Sequence, residues 1–235
     1  MIEVRRAADR FTTRTDWLTS RHSFSFGPHY DPANVAFAEL VVHNDDVVAP
    51  GAGYDTHPHA DTEIVTWVLE GSLVHQDSNG VAGVLRPGQV QRMTAGRGVL
   101  HSERNDEPGA VTPTRFVQMW LRPDEPGLDP SYQQQDVGST TGLVPLVSGI
   151  DGLDVAVRIH TAGAALHVAR LAPGESVALP DAPRLHVFVA RGAVDLEGAG
   201  RLDAGDVARF TGDGGPTLIG LVPAEVLIWQ LSGQH

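Results

Sequence analysis

The segment Val68-Leu69-Glu70-Gly71-Ser72-Leu73 places strand-forming residues on both sides of a glycine. Leu85-Arg86-Pro87-Gly88-Gln89-Val90-Gln91-Arg92-Met93-Thr94 follows as a Pro-Gly turn running into another strand. The same order returns later, in Val189-Ala190-Arg191-Gly192-Ala193-Val194 and then Leu202-Asp203-Ala204-Gly205-Asp206-Val207-Ala208-Arg209-Phe210-Thr211. Gly192 and Gly205 stand where Gly71 and Gly88 stand. A repeated supersecondary unit implies a repeated structure, so the chain reads as two copies of one small β-barrel. Between them, Arg122-Pro123-Asp124-Glu125-Pro126-Gly127-Leu128-Asp129-Pro130 is rich in proline and charge and reads as a linker, with polar Gln133-Gln134-Gln135 after it. The expected domains are residues 1–125 and 126–235.

The rest of the chain agrees with an all-β fold. Val35 to Val42, Ile64 to Leu69, Arg115 to Leu121, Leu153 to Ile159, Leu166 to Leu171, Leu185 to Val189 and Val226 to Leu231 are strand-sized apolar segments bounded by turn formers. The 26 glycines and 16 prolines are scattered, as many short elements require. No long window keeps a period near 3.6 residues, so little helix is expected.

Composition narrows the function. Seventeen basic against 29 acidic residues give a formal charge of −12. A general nucleic-acid binder needs a basic surface to displace counterions, and an anionic membrane would repel this chain. There are no cysteines, which excludes disulfides, thiolate metal sites and cysteine nucleophiles. No apolar run is long enough to span a bilayer, and Met1-Ile2-Glu3-Val4-Arg5-Arg6 lacks the apolar stretch of a signal peptide. We expect a soluble, cytoplasmic monomer.

The chemistry lies in Thr56-His57-Pro58-His59-Ala60-Asp61-Thr62-Glu63 and Gly98-Val99-Leu100-His101-Ser102-Glu103. Side chains alternate along a strand, so His57 and His59 share one face, and His101 and Glu103 share a face of another. Glu63 joins the first pair if its strand runs on without a bulge. Two facing strands of a small barrel would bring these groups together. Imidazole and carboxylate are the natural ligands of a divalent first-row metal where thiolates are absent.

These segments resemble the pirin family of the cupin superfamily. Gly51-Ala52-Gly53-Tyr54-Asp55-Thr56-His57-Pro58-His59 with Glu63 is similar to the first cupin motif. Met93-Thr94-Ala95-Gly96-Arg97-Gly98-Val99-Leu100-His101-Ser102-Glu103 resembles the second motif in its pirin form. Ser23-Phe24-Ser25-Phe26-Gly27, Tyr30-Asp31-Pro32 and Glu63 to Gly71 are also pirin-like. The likeness covers most of the first half, and the chain's short C-terminal end resembles compact bacterial members. It implies a bicupin with one metal per chain in the N-terminal barrel, Fe(II) first among the first-row metals. The implied ligands are His57, His59, His101 and Glu103. General cupins take the glutamate from the first motif, which would be Glu63; the closer pirin match favours Glu103. The implied activity is a quercetin dioxygenase, in which dioxygen opens the heterocycle of a flavonol with loss of carbon monoxide. Glu103 would ligate the metal and then accept the flavonol hydroxyl proton. Family members that bind protein partners make a metal-containing regulatory module the alternative, and another metal-dependent cupin reaction on a polar metabolite a third.

The repeat supplies a check. Counting from Gly192 and Thr211 as from Gly71 and Thr94 puts Ala178, Pro180, Arg184, Leu218 and Gly220 at the positions of His57, His59, Glu63, His101 and Glu103. The second barrel therefore lacks a matching set of ligands. His160, His167 and His186 read as packed or hydrogen-bonded residues, His43 and His75 as turn residues, and His22 and His29 as neighbours of the pocket mouth. Trp67, Met93, Phe116, Met119 and Trp120 read mostly as core, with one or two lining an aromatic pocket. Asp45-Asp46 and Asp124-Glu125 read as solvated loop charge. No phosphate loop or Gly-x-Ser-x-Gly is present.

Overall fold

The protein is seen in a computed structural model whose described residues are 1–233, so His235 lies outside them. In chain order the strands are Ile2–Arg5 (β1), Phe11–Arg14 (β2), Leu18–His22 (β3), Leu40–Val48 (β4), Gly53–His59 (β5), Glu63–Glu70 (β6), Leu73–Asp77 (β7), Ala82–Leu85 (β8), Gln89–Thr94 (β9), Val99–Arg104 (β10), Thr114–Leu121 (β11) and Ser131–Asp136 (β12). They continue with Gly142–Ser148 (β13), Val157–Arg158 (β14), Ala165–Leu171 (β15), Ser176–Ala178 (β16), Arg184–Arg191 (β17), Ala193–Leu196 (β18), Gly200–Asp203 (β19), Val207–Thr211 (β20), Thr217–Gly220 (β21) and Ala224–Leu231 (β22). Among the described residues there is no α-helix. Two expected strands differ. The chain turns at Ala38 (φ 53) before β4 begins, and only Val157–Arg158 of the Leu153 to Ile159 segment is extended in a sheet.

Each half holds a seven-stranded and a four-stranded sheet. The first half has the orders β12-β9-β6-β11-β4-β3-β2 and β5-β10-β7-β8; the second has β1-β20-β17-β22-β15-β13-β14 and β16-β21-β18-β19. From β4 to β11 and from β15 to β22 the orders correspond strand for strand, so the fold is a bicupin; at the outer edge they differ, β2 pairing antiparallel with β3 but β14 parallel with β13. The glycine turns correspond too: Gly71 and Gly192 have φ of 74 and 75. At Gly192 a Cβ would stand 2.2 Å from the Pro223 carbonyl oxygen, so both φ and space require glycine there. The end strands are exchanged. N-terminal β1 pairs with β20, and β12, which carries the Gln133-Gln134-Gln135 run, pairs with β9. We propose 1–125 and 126–235 as the two units, with these two strands crossing between them.

Alternation gives each large sheet two faces. Val65, Trp67, Val117 and Met119 of the first meet Leu166, Phe188, Leu227 and Trp229 of the second in one buried cluster that joins the barrels. Trp67 Nε1 donates across it to Glu225 Oε1 at 2.7 Å. The inner faces differ. Inside the second barrel, Leu185, Val187, Val194, Leu196, Ala208, Leu218 and Ile228 belong to one apolar cluster. Inside the first, Val68 and Phe116 belong to one cluster, while Ile64 and Met93 belong to another.

A row of polar residues separates them. Gln91, Thr66, Gln118 and Asn44 lie side by side across β9, β6, β11 and β4. The matching row of the second barrel is Ala208, Val187, Ile228 and His167. Sheet pairing also corrects the residue count. Leu218 stands opposite Leu196 and Val177, where the first barrel sets Glu103 opposite His75 and Tyr54. Leu218 thus corresponds to Glu103, although it lies seven positions after Thr211 where Glu103 lies nine after Thr94. Neither alignment puts a metal-ligating side chain at the place of Glu103.

Leu218→Ala should therefore cost about 2–5 kcal/mol, as for other core truncations, and leave metal content untouched. Urea unfolding with elemental analysis of the same sample measures both; loss of metal from the folded variant would contradict the assignment.

Candidate metal centre

The two histidine-bearing strands are neighbours in one sheet, and do not face each other from opposite walls. β5 and β10 run antiparallel with His101 opposite His57 and Val99 opposite His59. A register shift between His101 and Glu103 brings Glu103 opposite Tyr54, a bulge that re-aims the side chain. The strands are close here: a Cβ on Gly53 would lie 2.4 Å from the Glu103 carbonyl oxygen. On the other side of β10, β7 sets Asp77 opposite His101 and His75 opposite Glu103.

The histidine rings converge. His57 Nε2 and His101 Nε2 are 3.1 Å apart, and the ring centroids of His59 lie 4.8 and 4.9 Å from those of His57 and His101. His57 Nδ1 donates to the Asp55 carbonyl at 2.7 Å, which leaves its Nε2 as a lone pair aimed at His101. His59 Nε2 and Glu103 Oε1 are buried with no hydrogen-bond partner. Glu103 Oε2 accepts from Gln118 Nε2 at 2.5 Å. Orphaned acceptors inside a protein are costly, and a cation among them removes that cost. The donor atoms of His57, His59 and His101 lie within 4.8 Å of one another, as do those of His75, His101 and Glu103. His101 belongs to both groups. This donor set, nitrogen-rich with one carboxylate, fits a divalent first-row metal.

His59 and His101 are held neutral, as ligands must be. Burial, then His57 and His75, push His101 down to about 3, against a partial pull from Asp77. Burial, then His101 and His57, push His59 down to about 4, and Glu103 opposes this.

The wall beside His59 is aromatic. Trp120 meets His59 edge-on at 4.7 Å, and Phe26 meets Trp120 edge-on at 5.8 Å. His22 stacks on Phe26 at 5.0 Å, with His29 next at 5.5 Å. His22 and His29 thus connect to the centre through Phe26 and Trp120. An apolar cleft of about 530 Å³, lined by Pro58, His59, Val99 and Leu100 among others, opens along β5 and β10.

Glu63 is elsewhere. The chain turns at Asp61 (φ 47), and Glu63 opens β6 with its side chain on the Val65 and Trp67 face. There it accepts from Thr94 Oγ1 at 3.1 Å and meets His160 Nδ1 at 3.3 Å, away from the three histidines. Two turn readings are corrected. His75 lies on β7, bordering the centre, because Leu73 to Asp77 alternates like the ligand strands. His43 lies on β4, packed against His186 and Phe188 with centroids 4.7 and 4.6 Å away. Asp45 and Asp46 are also buried on β4, not in a loop. Asp45 accepts a two-pronged bond from Arg115 at 2.9 Å. Asp46 accepts from Tyr54 at 2.8 Å and is pushed up to about 7 by burial. Sequence reasoning also missed Gln118; its place two residues before Trp120 on one strand was the available signal.

Residues 3–121 match the Pirin family model. A Mycobacterium tuberculosis protein provisionally named a quercetin 2,3-dioxygenase is 54% identical over 233 residues, 98% of this chain and 95% of that protein. The chain belongs to the pirin family. An Escherichia coli protein named quercetin 2,3-dioxygenase is 41% identical to this pirin over 160 residues, 68% of each chain. The crystal structure of YhhW from Escherichia coli superimposes with a TM-score of 0.92 at 33% identity, covering 100% of this pirin and 99% of YhhW. A second YhhW structure, described as a bacterial pirin in complex with nickel(II), gives a TM-score of 0.91 at 33% identity, covering 99% of both chains.

The depressed histidines make stability pH-dependent. Between about 3 and the ordinary value near 6.5, the unfolded chain takes a proton that folded His101 refuses. That stability is full above about 6.5 and is lost as pH falls, at up to about 1.4 kcal/mol per pH unit for each such histidine. Asp46, raised in the fold, acts with the opposite sign, so the difference between two proteins is the quantity to read. Urea unfolding of metal-stripped protein from pH 7 to 4 should show His101→Gln losing stability less steeply than the parent. Parallel curves would contradict a buried neutral His101.

Proposed function

We propose that this pirin is a metal-dependent dioxygenase that opens a flavonol such as quercetin. His57, His59, His101 and Glu103 would hold one divalent metal, Fe(II) first among them. The observation that carries this reading is the convergence of the three imidazoles on buried, unpartnered acceptors, beside an aromatic wall at Trp120. Relatives named quercetin 2,3-dioxygenase and a nickel-bound neighbour support it. Among the described residues no helix is long and apolar enough to cross a membrane, and we place the protein in the cytoplasm.

The metal, when bound, supplies Lewis acidity toward the flavonol hydroxyl and a meeting point for dioxygen. The chain's own residues do the rest. Glu103, 1% exposed with Oε1 free of hydrogen bonds, would give that oxygen first to the metal and then, when the flavonol binds, to the hydroxyl proton. Trp120 and Phe26 give a flat apolar ligand surfaces to lie against and exclude water from that proton transfer. His59 and His101, held neutral, would donate lone pairs without bringing positive charge to the centre. An apolar wall favours a flavonol over a polar metabolite, and the acidic chain argues against general nucleic-acid binding.

Quercetin disappearance by absorbance under air, with bound iron quantified, tests the assignment. Glu103→Gln should lose about 10²–10⁴-fold in turnover, the usual range for a general base, and hold metal less tightly. Glu63→Gln should keep its metal and most activity, since Glu63 faces Thr94 and His160. The reverse ranking would move the carboxylate ligand to Glu63. A parent protein full of metal that leaves quercetin intact would overturn the flavonol reading in favour of a regulatory binding role.

A further inference from the structure

Glu103 is gripped from the seven-stranded sheet by a side chain whose own orientation is fixed. Gln118 Nε2 donates to Glu103 Oε2 at 2.5 Å, and Gln118 Oε1 accepts from Trp120 Nε1 at 3.0 Å. An indole nitrogen can only donate. The Gln118 oxygen must therefore turn toward Trp120, and its amide nitrogen toward the carboxylate. Gln118 is 8% exposed and Glu103 is 1% exposed, so solvent does not offer either a substitute partner. Thr66 Oγ1, in the same polar row, is a further acceptor for Gln118 Nε2 at 3.5 Å. The result is a carboxylate with one oxygen occupied and the other unpartnered.

We propose that Gln118 is a positioning residue, locked by the Trp120 indole, that makes Glu103 present a single oxygen to the metal. The proposal rests on the reading of His57, His59, His101 and Glu103 as the metal-holding set. It also links the aromatic wall to the carboxylate: Trp120, which touches His59 edge-on, is two hydrogen bonds from Glu103. A ligand that displaces the indole would release the amide and with it the second carboxylate oxygen. Among the described residues the second barrel has no equivalent, since Ile228 occupies the position of Gln118.

The test uses full-length protein loaded with Co(II) for its visible spectrum, and Ni(II) affinity by chelator competition. Gln118→Leu removes the donor. Trp120→Phe keeps an aromatic ring and the whole of Gln118 but removes the indole N–H, so it decides the matter even if Gln118→Leu folds poorly. Ni(II) affinity should fall by about 10–100-fold in Gln118→Leu, the usual effect of losing a ligand's hydrogen-bond partner, and in the same direction in Trp120→Phe. The Co(II) bands of Trp120→Phe should change as the second carboxylate oxygen becomes available. Trp120→Phe with the parent's spectrum and affinity, whatever its melting temperature, would overturn the proposal. Glu103→Gln is run alongside. If its spectrum also equals the parent's, Glu103 is not a ligand and it is the reading of the centre that fails.

Discussion

The register between Gly53–His59 and Val99–Arg104 governs the rest of this molecule. Set with His101 opposite His57, it directs His57, His59, His101 and, past the bulge, Glu103 toward the barrel interior. A slip of one residue would turn Pro58 and Leu100 inward and the histidines out. Close approach at Gly53, where a Cβ would strike the Glu103 carbonyl, helps pin that register. The need to house polar donors then explains the interior. Thr66 separates Ile64 from Val68 on one strand, and Gln118 separates Phe116 from Trp120 on another. The first barrel consequently carries two small apolar clusters where the second carries one large one.

The comparison within the chain is informative because β4 to β11 and β15 to β22 share strand order. The same backbone holds Tyr54, Glu103 and His75 in one barrel and Val177, Leu218 and Leu196 in the other. One half holds the candidate centre, and the other supplies a filled core and a large face to pack against. The barrels depend on each other through the buried cluster containing Trp67, Phe188 and Trp229, and through the exchange of their end strands. The polar row costs the first barrel hydrophobic stabilisation, and the joining face compensates for some of that loss.

Much of this was legible in the sequence. The duplicated glycine turns announced two barrels, and the His57, His59 and His101 pattern announced the convergence of those side chains, because strand alternation with period two is local. What depended on distant pairing was not legible. Glu63 seemed able to continue the face of His57 and His59 until the turn at Asp61 carried it to another sheet. His75 looked like a turn residue, since only its pairing with β10 brings it to Glu103. Asp45 and Asp46 looked like solvated charge because Arg115 and Tyr54, which satisfy them, come from other strands. The sheet assigned to Ser131–Asp136 likewise follows from pairing with β9, for which a glutamine run gives no local signal.

The central claim is that one metal ion sits in the first barrel on three histidines and one glutamate. Anomalous diffraction from crystals reconstituted with Fe(II) or Ni(II), collected at the metal's absorption edge, tests it most directly. The account predicts a single strong peak per chain, bonded at roughly 2.0–2.2 Å to His57, His59, His101 and one oxygen of Glu103, with His75 outside bonding distance and the second barrel empty. A peak held by Glu63 and His160, or one inside the second barrel beside Leu196 and Leu218, would contradict it.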